Sequence, residues 1–131
     1  MALIPIKTKE DKLSIVEFYR QCIKNIKDER ERLKGDDSNH GLHRRLHLDT
    51  KIIATNRQFN FFNSNKVDTL LDKGFDLKFN GAILKIDTKN QFWGEFNYYP
   101  KCGKLYAKNW KKWYENSWSW IDKKLINNDK I

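Results

Sequence analysis

The stretch FDLKFNGAILKID, residues 75–87, constrains the fold more than any other part of this 131-residue chain. Phe75, Leu77 and Phe79 fall on one face of an extended segment, and Ala82, Leu84 and Ile86 fall on one face of the next. Between them stands Asn80-Gly81, the dipeptide that best tolerates the two positive-φ positions of a tight hairpin turn. The pattern continues. TKNQ turns the chain into FWGEFNYY, with Phe92, Gly94, Phe96 and Tyr98 on one face, and PKCG turns it again into KLYA. A four-stranded antiparallel meander over about 75–107 is predicted.

Helices flank it. Thr8 is placed as an N-cap with Asp11 three residues on, an analogue of the capping box, and Gly35 closes the helix after Lys34. Ile15, Tyr19, Cys22, Ile26 and Leu33 form a stripe at helical spacing, with Val16 and Ile23 beside it. The charged end, Glu29 to Lys34, is expected to project past the core. Residues 35–39, GDDSN, read as a linker. Leu42, Leu46, Asp49 and Ile53 would share a face of a short second helix. QFNFFN, 58–63, reads as a strand, and Asn65 caps a short helix over 66–73 closed by Gly74. Asn109 caps a final amphipathic helix over 108–126, followed by a tail over 127–131. On its wheel Trp110, Trp113, Tyr114, Trp118, Ile121 and Leu125 share one arc, with Trp118 and Trp120 at the edges. Trp110, Trp113 and Tyr114 are therefore expected to be buried against the sheet. The whole is an α+β single domain with a long N-terminal helix, a short meander and an aromatic C-terminal helix packed on the sheet.

Charge points to the class of partner. The chain holds 26 Lys and Arg against 17 Asp and Glu, a formal net charge of +9. A lysine-rich surface attracts polyanions by long-range attraction and counterion release, and it grips backbones better than it reads bases. AT-rich coding also enriches Lys, Asn and Ile, and supplies a second source for that charge. Lys101, Lys104, Lys108, Lys111 and Lys112 run without an intervening acid until Glu115. Tyr99 and Tyr106 are interleaved with them. These lysines are the candidate phosphate contacts, with Tyr99, Tyr106 and Trp120 as candidate stacking rings.

Chemistry-bearing groups are sparse. His40, His43 and His47 lie close together, but Gly41 interrupts their helical face and no fourth ligand has zinc spacing, so no metal site is expected. Asp76, Asp87 and Lys89 resemble the carboxylate and lysine of a metal-dependent nuclease, a third reading. No nucleophile elbow or glycine-rich phosphate loop occurs, so no catalytic residue and no cofactor are assigned. Cys22 and Cys102 are read as free thiols in a reducing compartment. MALIPIKTKED lacks the pattern of a secretory signal, and no apolar run reaches the roughly 20 residues of a membrane span. A cytoplasmic location is expected.

The first functional expectation is a non-enzymatic nucleic-acid-binding protein, for DNA or RNA, with little sequence preference. The composition fits a phage or mobile-element product. The alternative is a protein-binding inhibitor or adaptor acting on a nucleic-acid-handling partner, of anti-defence type, anchored by Glu29 to Lys34 and exposed rings such as Trp93. A homodimer through the helix over 8–34 is carried as an option, although only about two and a half heptads of it are apolar.

Overall fold

The computed structural model describes residues 3–35, 38–115 and 117–128. Asp36 and Asp37 of the expected linker, and 129–131 of the expected tail, lie outside them. The chain forms β1 (Ile4–Ile6), α1 (Lys9–Arg32), α2 (Asn39–Asn63), α3 (Lys66–Asp72), β2 (Asp76–Phe79), β3 (Leu84–Asp87), β4 (Glu95–Tyr99), β5 (Lys104–Ala107), β6 (Lys112–Tyr114) and α4 (Trp118–Ile121). A π-helical turn, Asp122–Ile126, extends α4. The six strands form one antiparallel sheet in sequence order. The α+β class, the meander and the aromatic C-terminal helix are as expected.

α1 begins with a full capping box. Thr8 Oγ1 accepts from the Asp11 amide at 3.2 Å, and Asp11 Oδ2 accepts from the amides of Thr8 at 3.1 Å and Lys7 at 2.8 Å. Those two amides hold the Asp11 carboxyl below its ordinary range. Val16, Tyr19 and Ile26 of its stripe are buried. Lys12 is buried too, bonded to Asp68 of α3 at 3.1 Å.

α2 departs from expectation. It is one helix of 25 residues, and it absorbs both the short helix and the strand assigned to QFNFFN. Its buried face carries Gly41, Leu48, Thr55, Gln58, Phe61 and Phe62. Three of these are glycine or polar, so the face does not read as apolar. Thr55 and Gln58 are satisfied inside: Thr55 Oγ1 donates to Lys51 O at 2.7 Å, and Gln58 Nε2 donates to Gly81 O at 2.9 Å. Leu42, Leu46 and Ile53, the apolar stripe seen in the sequence, face solvent instead. The Glu29 end of α1 does not project alone, because Arg44 of α2 grips Glu29 with two bonds, 2.7 and 3.0 Å, and Arg30 pairs with Asp49 at 2.9 Å. Arg44 holds the Glu29 carboxyl below its ordinary range.

The helices cover one face of the sheet. Leu77, Phe79, Leu84, Ile86, Phe96, Tyr98, Leu105 and Ala107 point inward. Phe62 meets Phe79 with ring centroids 4.7 Å apart, and Phe61 meets Tyr98 at 5.0 Å. Val67, Leu70, Ile121 and Leu125 complete the core. The Asn80 turn is longer than expected. It spans four residues, only Gly81 in it has positive φ, and Asn80 Oδ1 accepts from the amides of Ala82 and Ile83.

The chain departs most from expectation over 108–115. The chain does not enter a helix at Asn109. It turns through Lys108–Lys111, with Lys111 at φ 55°, and lays down β6 against β5. Helix begins only at Trp118. Trp110 and Trp113 are therefore not core residues: they are 38% and 53% exposed. Tyr114 is half-buried, stacked on Trp120 at 4.7 Å. The rings at 110, 113 and 114 suit a helical arc, but β5 offers an unpaired edge, and residues 112–114 fill it.

Candidate nucleic-acid interface

No described helix lies on the outer face of the sheet. Cross-strand partners share a face, so the register sets its rows. One row runs Pro5, Lys78, Lys85, Asn97, Tyr106, Trp113 across all six strands. On one side of it lie Tyr99 and its partner Lys104. On the other lie Asp76, Asp87 and Glu95.

The aromatic end of this face is continuous. Tyr106 and Trp113 have ring centroids 4.9 Å apart, and Tyr99 and Trp113 5.6 Å apart. Trp113 is the most open of the three. Lys104 is exposed opposite Tyr99, Lys85 is half-buried next to Asn97, and exposed Lys78 lies beyond it on β2. Lys101 is exposed in the β4–β5 turn, where its carbonyl accepts from Arg57 of α2 at 3.4 Å.

The fold divides the lysine strip read from sequence. Lys104 and the Tyr99–Tyr106 pair do lie together. Lys108 lies farther along the same face but is tied to Glu95 at 2.8 Å, and that bond holds the Glu95 carboxyl below its ordinary range. Lys104 has Glu115 at 3.9 Å. The run of lysines thus meets acids that the linear sequence places elsewhere. Lys111 sits in the β5–β6 turn, and Lys112 stands 5.3 Å over the Tyr114 ring. Trp120 does not join Tyr99 and Tyr106. It packs with Phe96 at 5.6 Å, on the inner face. Trp113, expected in the core, stands beside Tyr99 and Tyr106 in place of Trp120.

Asn97 sits at the centre of the outer row, between Lys85 and Tyr106. Its Oδ1 is buried and accepts no hydrogen bond. Strand alternation in EFNYY already separates Asn97 and Tyr99 from the inward Phe96 and Tyr98, so both were findable in the sequence. Lys78 and Lys85 were findable in the same way from DLKF and LKID.

A second aromatic group caps the end of the sheet. Phe92, Trp93 and Trp110 meet at centroid distances of 5.2 to 5.6 Å. Asn109 Nδ2 pins the two loops together, donating to Phe92 O at 2.8 Å and Gln91 O at 3.2 Å.

Asp76, Asp87 and Lys89 are brought together: Lys89 Nζ lies 3.3 Å from Asp76, and the Lys89 amide donates to Asp87 at 2.9 Å. Among the described residues no group of three His, Cys, Asp or Glu could hold a metal ion. Cys22 and Cys102 are free. No described helix is long and apolar enough to cross a membrane. No family model, curated protein or solved structure matches the chain.

Proposed function

We propose that this protein is a small basic, non-enzymatic nucleic-acid-binding protein with little sequence preference, and that it binds through the outer face of its sheet. The observation that carries the reading is the joined cluster of exposed Trp113 with half-buried Tyr106 and Tyr99, on the same face as Lys78, Lys85 and Lys104. Aromatic faces accept any base by stacking, and lysines hold phosphates without reading sequence. The net charge of +9 draws a polyanion to this surface.

The test is fluorescence anisotropy with two unrelated oligonucleotides from low to physiological salt. Affinity should fall with salt, by about 0.9 in log–log slope per duplex phosphate contact and about 0.7 on a single strand. Replacing Lys78, Lys85 and Lys104 together by Ala should flatten the slope by up to about three units, alike on both sequences. Replacing Lys108, Lys111 and Lys112 should flatten it less, because Lys108 already serves Glu95. A parent protein that binds neither probe at low salt removes this reading.

A second reading rests on a different surface. An apolar groove of about 360 Å³ lies between β1 and α1, with Ile4 and Phe18 exposed along it. A protein-binding adaptor or inhibitor of a nucleic-acid-handling partner would dock there, and its affinity would hardly respond to salt.

A further inference from the structure

Building on the nucleic-acid reading above, we infer that the outer sheet face takes single-stranded nucleic acid in preference to duplex, with at least one unstacked base lying on Trp113. Three observations lead there. First, Trp113 is 53% exposed with half-buried Tyr106 and Tyr99 against it, so it presents a flat apolar platform on which a base can stack. A duplex keeps its base faces inside the stack and shows only edges and phosphates, whereas a single strand turns its bases outward.

Second, the acids limit the width of the binding track. Asp76, Asp87 and Glu95 lie two residues along the strands from the row of Lys78, Lys85 and Trp113, a distance of about 7 Å. Lys89 and Lys108 pair with Asp76 and Glu95, and the Asp87 carboxylate accepts a backbone amide instead. A duplex carries a phosphate charge about every 1.7 Å of its axis on two strands. Laid across this sheet, it would set phosphates against Asp87 and against lysines already held by Asp76 and Glu95. A single strand can follow the Lys78–Lys85 and Lys104 side alone, bases toward the rings.

Third, Asn97 Oδ1 is a buried acceptor without a donor at the centre of this row. Such groups are costly unless paired. The Asn97 side chain is only half-buried, and a turn about its side-chain torsions would bring this oxygen to a base amino or imino group, or a sugar hydroxyl, lying beside Tyr106.

The experiment measures anisotropy on three probes of equal length: a mixed-sequence single strand, the same strand annealed to its complement, and an abasic strand that keeps the phosphates. The single strand should bind at least about ten-fold more tightly than either of the others, the loss expected for one stacked base. Trp113→Ala should erase that advantage, and Trp113→Phe should retain most of it. The salt slope on the single strand should stay the same in both variants, since no phosphate contact is removed. Equal binding of all three probes, or a Trp113→Ala protein that still prefers the single strand, overturns the inference while leaving nucleic-acid binding in place. Binding to none of the probes at low salt removes both.

Discussion

Trp113 of β6 lies directly opposite Tyr106 of β5, with ring centroids 4.9 Å apart on the face of the sheet that no described helix covers. The pair is a cross-strand contact at an open edge, and it contributes to stability accordingly. Trp113→Ala should cost about 1 kcal/mol, the scale of a cross-strand pair. Phe96→Ala, at a fully buried position on the opposite face of the sheet, should cost about 3–5 kcal/mol. Urea denaturation of both variants checks this. A cost for Trp113→Ala equal to that of Phe96→Ala would return Trp113 to the core.

Gly94 holds the loop end together. It sits at φ +64°, and a Cβ there would lie 2.5 Å from Asn109 Nδ2. That amide cannot move freely, since it binds the carbonyls of Gln91 and Phe92. Gly94→Ala should destabilise by about 1–3 kcal/mol through strain and clash together. In an Asn109→Ala background the clash disappears and the φ cost stays, so Gly94→Ala should cost less there. Thermal melts of the four proteins form the double-mutant cycle.

Lys108 bonds Glu95 and keeps its carboxyl ionised to lower pH than an ordinary glutamate. A depressed folded value makes the contribution to stability fully present above the ordinary carboxylate range. It is lost as pH falls through the folded value. The pair is partly exposed, so the effect is small and screened by salt. Carbon-detected NMR titration should find the Glu95 midpoint below that of free glutamate, and Lys108→Ala should bring it back up. An unchanged midpoint in that variant would assign the shift to another group.

Lys12 and Asp68 join α1 to α3 from the inside, 3.1 Å apart, with Lys12 almost wholly buried. Asp68 Oδ1 has no hydrogen bond of its own. Lys12→Met should cost about 3 kcal/mol or more, because it strands a part-buried carboxylate. Adding Asp68→Leu should recover much of that loss, since the charge that lost its partner is then gone. Chemical denaturation of the two variants measures it, and a double variant weaker than the single would show that the ion pair itself supplies the stability.

Much of the architecture was legible before any coordinates. The capping box at Thr8 and Asp11 is local, so its residues announce α1 without reference to the rest of the chain. The alternation through FDLKF, AILKID, EFNYY and KLYA sets which side chains face inward, because a strand has only two faces. That same alternation already separates Lys78, Lys85, Asn97, Tyr99 and Tyr106 onto the other one. Only the assembled sheet decides the rest. Gly41, Thr55 and Gln58 are polar or small in the sequence and buried in the structure, since Gly81 O receives Gln58 and the Thr55 hydroxyl returns to Lys51 O. Their burial turns Leu42, Leu46 and Ile53 outward, against the apolar pattern. The spacing of Trp110, Trp113, Tyr114 and Trp118 fits a helix wheel, and 112–114 fits a strand equally well. The open hydrogen-bonding edge of β5 breaks that tie, and by doing so moves Trp113 from an expected core to an exposed face beside Tyr106. Periodicity reports which residues share a face. Which face is covered depends on partners distant in sequence, and those exist only once the chain has folded.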